Sequence, residues 1–183
     1  MYNLKTKSSV WKYIDRIKFY SSSKAGKGKV LIAGLGGGLL VSEFVKKGFK
    51  VDAVDIDKRL PEISHKFFDC DKMSYNYFED DIRHFINCND KVYDLIILDL
   101  SAGESQPENV YTLEAFKKIS KSLSDSGILF VHLPDNPSND NQLLLCSVGK
   151  TVEASGMKLR LLNTSPKKGA FDEYMFACSK NQR

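Results

Sequence analysis

The chain has 183 residues, 42% hydrophobic and 27% charged, the balance of one soluble globular domain long enough to bury a core. No apolar run approaches the roughly 18 residues a membrane helix needs, and the lysines near the N-terminus precede no apolar stretch of the kind a signal peptide carries. The net charge of +4 is mild, and the lysines are scattered without interleaved aromatics, which argues against a nucleic-acid surface.

Residues 1–28 read as an N-terminal extension. Within it Val10, Trp11, Ile14 and Ile17 form an amphipathic stretch, expected as an added helix against the sheet edge. Residues 29–183 read as one ligand-binding domain. It opens on Val30 to Ala33, an apolar run suited to a buried parallel strand. Gly34, Gly36, Gly37 and Gly38 follow at once, then a predicted helix over Leu39–Lys47 closed by Gly48. Val51, Ala53 and Val54 make the next strand, which ends at Asp55. Strand, glycine turn, helix, strand and acid together form a mononucleotide-binding unit: glycines let backbone N–H groups approach a ligand, and the acid accepts from ribose hydroxyls. A dinucleotide fingerprint needs a third small residue at position 39, where Leu39 stands. The run is G-x-G-x-G instead, Gly34, Gly36 and Gly38, the pattern of S-adenosylmethionine sites. Asp57 is read as solvated or as a helix cap.

The alternation continues. A helix is expected over Leu60–Phe68 and a strand around Tyr75, Tyr77 and Phe78. A turn at Glu79, Asp80 and Asp81 leads into a short helix, and Tyr93 to Asp99 is a buried strand. A helix follows over Thr112–Leu123, a turn over Ser124–Gly127, and a strand over Ile128–Leu133. A helix over Asn139–Ser155 and a strand pair, Met157–Leu162 with Tyr174–Cys178, complete the chain. The fold class is α/β: a doubly wound, mostly parallel, seven-stranded Rossmann-like sheet with a terminal antiparallel strand. Asp99 then ends a strand at the switch point where open α/β sheets bind ligands. Cys70, Cys88, Cys146 and Cys178 form no C-x-x-C pair, and His65, His84 and His132 are dispersed, so no metal is expected. Free thiols and a cytoplasmic location follow from the same reading, with Cys146 and Cys178 in the core.

Three segments resemble the spermidine synthase-like branch of the class I S-adenosylmethionine-dependent methyltransferase superfamily. VLIAGLGGG, Val30 to Gly38, is similar to its first motif. DDIRHFI, Asp80 to Ile86, resembles its G-D-x-R-x-F-L segment. Tyr93 to Phe116 resembles its Y-D-x-I-x-x-D-…-P-…-L-T-x-E-x-F stretch, with Asp99, Gly103, Glu104, Ser105 and Pro107 on the motif D-A-F-S-G-D-S-I-P. The resemblance covers roughly residues 28 to 178. Aminopropyltransferases of the branch read D-S-S-D-P or D-S-T-D-P, and their second aspartate deprotonates the attacking amine. That position is Ala102 here, which accepts no proton. The branch's N-terminal β-domain is not expected in the 28 residues before Lys29.

The resemblance implies transfer of a group from a sulfonium by in-line displacement, with the enzyme mainly positioning two reactants. The donor site comprises Gly34, Gly36, Gly38, Asp55 for the ribose, Asp81 for the adenine amine with Asp80 as its rival, and Asp99. Asp99 and Glu104 are the catalytic candidates, Glu104 as general base. Tyr111 and His132 are read as core or rim residues ahead of acceptor-pocket lining. The favoured activity is methyl transfer from S-adenosylmethionine to a small-molecule or protein acceptor. The alternatives are aminopropyl transfer from decarboxylated S-adenosylmethionine, in polyamine synthesis, and a nucleoside-binding module without chemistry. Membrane and nucleic acid are not expected as partners, and a homodimer is left open.

Overall fold

The computed structural model describes residues 2–3, 8–9, 12–22, 28–68, 70, 75–100, 107–134, 141–164 and 173–180. Two short strands, β1 (Tyr2–Asn3) and β2 (Ser8–Ser9), pair with each other. There follow α1 (Lys12–Ser21), β3 (Lys29–Ala33), α2 (Leu39–Lys46), β4 (Lys50–Asp55), α3 (Leu60–Phe68), β5 (Tyr75–Glu79), α4 (Ile82–Cys88) and β6 (Tyr93–Leu98). The chain continues through α5 (Leu113–Ser122), β7 (Leu123–Pro134), α6 (Asn141–Ala154), β8 (Lys158–Asn163) and β9 (Glu173–Ser179). The main sheet has seven strands in the order β5-β4-β3-β6-β7-β9-β8. Pairings from β5 across to β7 are parallel. β9 inserts between β7 and β8 and runs antiparallel to both.

Helices cover both faces, which is why the central strands are apolar over consecutive positions, Val30 to Ala33 in β3 and Leu95 to Leu98 in β6, rather than at alternate ones. Val30 and Ile32 of β3 and Leu95 and Ile97 of β6 meet α1 and α2 on one face. Leu31, Ala33, Ile96 and Leu98 point the other way, to α4, α5 and α6. Each fully buried aliphatic side chain of this kind contributes roughly 1.5–3 kcal/mol. α2 stops at Gly48, whose φ of 80° takes the left-handed conformation that ends a helix, with its N–H on the Val45 carbonyl.

Three expectations are corrected. The amphipathic N-terminal helix lies on the face of the sheet rather than at its edge: Tyr13, Ile14 and Ile17 of α1 are buried with Val30, Ile97 and Phe130. The central strands expose an apolar face that an edge would not offer. Val10 and Trp11 lie outside the described residues. The predicted Ser124–Gly127 turn is a bulge inside β7: Leu123 pairs with Tyr93 and Ile128 with Leu95, so the intervening residues oppose Asp94 alone. Gly127 is needed there, because a Cβ would meet the Ser124 carbonyl oxygen at 2.9 Å. Cys146 is exposed on α6, whereas Cys70 and Cys178 are buried; all four cysteines are free.

Candidate functional site

The switch point lies between β3 and β6. From β3 the chain winds out to β4 and β5, then returns to β6 on the other side. The C-terminal ends of these strands are joined tightly: Asp99 N–H donates to the Ala33 carbonyl at 3.0 Å and Gly34 N–H to the Val54 carbonyl at 2.9 Å. Gly34 has φ 92°, and a Cβ on it would stand 2.1 Å from the Asp99 carbonyl oxygen. Only glycine allows this approach. Above it opens a cavity of about 880 Å³, lined by Gly34, Gly36 and Gly37 on one side and by Asp99 and His132 on the other. That volume suits a nucleoside-sized ligand.

On the glycine side, Asp55 ends β4 and its carboxylate binds backbone. Oδ2 accepts from Leu35 N–H at 2.8 Å and Oδ1 from Asp57 N–H at 3.1 Å. Tyr77 braces this turn from β5, donating its hydroxyl to the Asp57 carbonyl at 2.8 Å. Burial, then the neighbouring carboxylates, push that phenol up to about 12. Asp57 is held at about 2 by hydrogen bonds from Arg59, first from its guanidinium and then from its backbone N–H. Asp81 caps α4, accepting from Arg83 N–H at 2.8 Å and His84 N–H at 3.2 Å. Asp80 instead holds His84 Nδ1. Asp55, Asp80 and Asp81 all line the cavity. Gly36, at φ 49°, has nothing within 4 Å of a Cβ position, so its outer side is open to a ligand. Gly38 plays another part: at φ 73° it turns into α2, and a Cβ there would meet Cys70 Sγ at 2.7 Å.

The other side is built from three remote segments. Asp99, just past β6, accepts at Oδ2 from the Tyr13 hydroxyl of α1 and at Oδ1 from His132 Nδ1 of β7, both at 2.8 Å. The Tyr13 and His132 rings stack with centroids 3.9 Å apart and planes 15° apart. Nε2 of His132 is buried and has no hydrogen-bond partner among the described residues. Tyr111 lies in the core, its hydroxyl pushed up by burial and then by the Asp99 charge.

The structure thus gathers Gly34, Gly36, Asp55, Asp81 and Asp99 around one cavity. Glu104 and Ala102 lie outside the described residues. His132 is a cavity residue rather than a core or rim residue, because β7 runs beside β6 and carries it level with Asp99. Tyr13 was not singled out by its sequence; its one signal was adjacency to the apolar face of Ile14 and Ile17. Among the described residues no group of three or more His, Cys, Asp or Glu side chains is placed to hold a metal ion, and no helix is long and apolar enough to cross a membrane.

The spermine/spermidine synthase domain model matches residues 17–156. A polyamine aminopropyltransferase of Clostridioides difficile (strain 630) is 35% identical over 121 residues, 61% of this chain and 42% of that protein. One from Thermoplasma volcanium is 30% identical over 117 residues, 60% of this chain and 42% of that protein. The chain therefore spans less than half the length of these curated relatives. A probable spermidine synthase structure from Corynebacterium glutamicum superposes with a TM-score of 0.78 at 18% identity, covering 97% of this chain and 67% of that one, and establishes the shared fold. These matches overturn the expectation of methyl transfer: the named relatives are polyamine aminopropyltransferases. The glycine loop misled because its G-x-G-x-G pattern was read for an adenosine and a sulfonium, which both kinds of donor share, and says nothing of the group that is transferred.

Proposed function

The chain belongs to the spermine/spermidine synthase family; from that premise we infer that it moves an aminopropyl group from decarboxylated S-adenosylmethionine to a primary amine of a polyamine. The observation that carries this reading is Asp99 at the junction of β3 and β6, in one cavity with the glycine loop. Gly34 and Gly36 border the donor, Asp55 takes the ribose hydroxyls, and Asp81 takes the adenine amine. Leu35 N–H and Asp57 N–H use one lone pair on each Asp55 oxygen, and the others are left for the sugar. Both reactants are cations, and Asp55, Asp57, Asp80, Asp81 and Asp99 give the cavity the opposite sign.

In the transfer, the amine nitrogen bonds to the carbon attached to sulfur. The C–S bond breaks, its electron pair stays on sulfur as methylthioadenosine leaves, and the amine gives up one proton. The donor is already activated, so most of the acceleration comes from holding the two reactants in line. Asp99 stands where sulfonium and amine meet. A binding module without chemistry is the second reading, favoured by Ala102 at the place of the branch's usual base.

The test is to incubate the chain with decarboxylated S-adenosylmethionine and putrescine or spermidine, and to follow methylthioadenosine and the extended polyamine by mass spectrometry. Both products are expected in equal amounts. Donor binding by calorimetry with no product from either amine would establish the second reading instead.

A further inference from the structure

We propose that His132 is the proton acceptor for the attacking amine, oriented for that task by Asp99. This rests on the aminopropyl-transfer reading and names the base within it. The need for one comes from position 102, where alanine offers no lone pair. At the junction, Asp99 and His132 are the described side chains basic enough to take a proton at neutral pH; the Tyr13 hydroxyl donates to Asp99 and is a far weaker base.

Asp99 is engaged on both oxygens, by the Tyr13 hydroxyl and by His132 Nδ1. A carboxylate only accepts hydrogen bonds, so the imidazole carries its hydrogen on Nδ1 and its lone pair on Nε2. This is the arrangement in which a carboxylate fixes the tautomer of a catalytic histidine. His132 is 7% exposed, and its Nε2 has no partner among the described residues. A buried acceptor is costly to leave unpaired, and an amine N–H supplies the missing donor. The lone pair lies in the plane of the ring while Tyr13 covers a face, so a bond to the amine and the stack are compatible.

The surroundings also stabilise the charged product. The proton moves from the amine nitrogen to Nε2 as the C–N bond forms and the C–S bond breaks. The resulting imidazolium has the Asp99 carboxylate at Nδ1–H and the Tyr13 ring against its face. It returns the proton to solvent after product release. Among the described residues, the groups facing the imidazole are Asp99 after β6 and Tyr13 on α1; on β9 its register partner is the uncharged Met175.

The test combines nitrogen NMR of the three histidines with kinetics of His132→Gln. Putrescine is expected to move the His132 Nε2 signal while leaving those of His65 and His84 in place. His132→Gln should lower turnover by about 10²–10⁴-fold, abolish the acidic limb of the pH–rate profile, and leave donor affinity within about twofold. Full turnover with an unchanged acidic limb in His132→Gln overturns the proposal, as does a His132 signal indifferent to the amine. If the natural chain forms no methylthioadenosine, the transfer reading falls. A signal moved by putrescine then still supports the Nε2 contact, and a static one overturns it. The NMR measurement uses the natural chain, so it decides even where His132→Gln does not fold.

Discussion

The two sides of the cavity are held by different kinds of bond. On the glycine side, proposed for the donor, carboxylates bind backbone: Asp55 takes the N–H groups of Leu35 and Asp57, and Asp81 those of Arg83 and His84. On the other side, proposed for the acceptor, one carboxylate binds two side chains, Tyr13 and His132, 86 and 33 residues away in the chain. The donor side is a property of a strand, a turn and a helix cap, and forms wherever those elements form. The acceptor side exists only when α1 and β7 are docked against β6. Donor affinity should therefore tolerate disturbance of α1, and acceptor chemistry should not.

Gly34 is where the two sides touch, so its substitution tests whether they are separable at all. Gly34→Ala forces a left-handed φ of 92° on an L residue and drives a Cβ to 2.1 Å from the Asp99 carbonyl oxygen. Left-handed strain and overpacking together should cost roughly 2–5 kcal/mol, read as a large fall in melting temperature. A wild-type melting curve would mean that the contact between the two strand ends relaxes without penalty.

Asp52 sharpens the comparison from outside the cavity. It lies on β4 three positions before Asp55, yet it is buried and accepts from Lys91 Nζ at 2.8 Å, Asn76 Nδ2 at 2.7 Å and the Tyr93 hydroxyl at 2.8 Å. Burial alone would raise its carboxyl, but the hydrogen bonds from Lys91, Asn76 and Tyr93 outweigh it and hold the group below its usual value. A carboxyl lowered on folding stabilises the fold above its unfolded pKa of about 3.9 and loses that contribution as pH falls through the lower folded value. Asp52→Asn should cost about 1.5–3 kcal/mol at neutral pH, toward the low end because Lys91 is half exposed and can return to water. It should also flatten the acid side of the stability curve below about pH 4, while donor affinity stays put. An equally steep acid limb in the variant would assign that limb to other carboxylates.

That contrast also explains what was legible in the sequence. Gly34 to Asp57 could be read because strand, loop, helix and acid are contiguous and their spacing encodes their geometry. The winding of the sheet followed from apolar runs punctuated by glycine and polar turns. The bulge at Ser124–Gly127 looked like a turn because its composition is that of a turn; the strand pairing that continues through it is tertiary. Tyr13 and His132 carried no local mark, since neither residue's neighbours in sequence indicate that the two rings stack across the end of β6. The transferred group was illegible for a related reason, because the motifs describe the part of the donor that methyl and aminopropyl transfer have in common.

A change on the glycine side should leave the Tyr13–Asp99–His132 contacts intact. Gly36→Val places a branched side chain where a Cβ meets nothing within 4 Å, at a φ of 49° that β-branched residues avoid. The new side chain fills the space assigned to the nucleoside. Donor affinity should fall at least about tenfold, or roughly 1.4 kcal/mol, by calorimetry with decarboxylated S-adenosylmethionine. Undiminished affinity would put the donor elsewhere in the cavity.

The smallest expected effect comes from the acceptor side. Tyr13→Phe removes one hydroxyl and keeps the ring, so it separates the hydrogen bond to Asp99 from the stack on His132. The lost bond, made to a charged group that is partly solvated, should cost about 0.5–1.5 kcal/mol, a shift of a few degrees in melting temperature for a chain of this size. Asp99 keeps His132 Nδ1 as a partner, and the phenyl ring still covers the imidazole. Donor affinity should therefore be unchanged, whereas the KM for the amine should change severalfold, since one of the two bonds that orient Asp99 is gone. If Tyr13→Phe weakens the donor as much as the amine, the two sides are one cooperative unit and the distinction between a local half and a tertiary half fails.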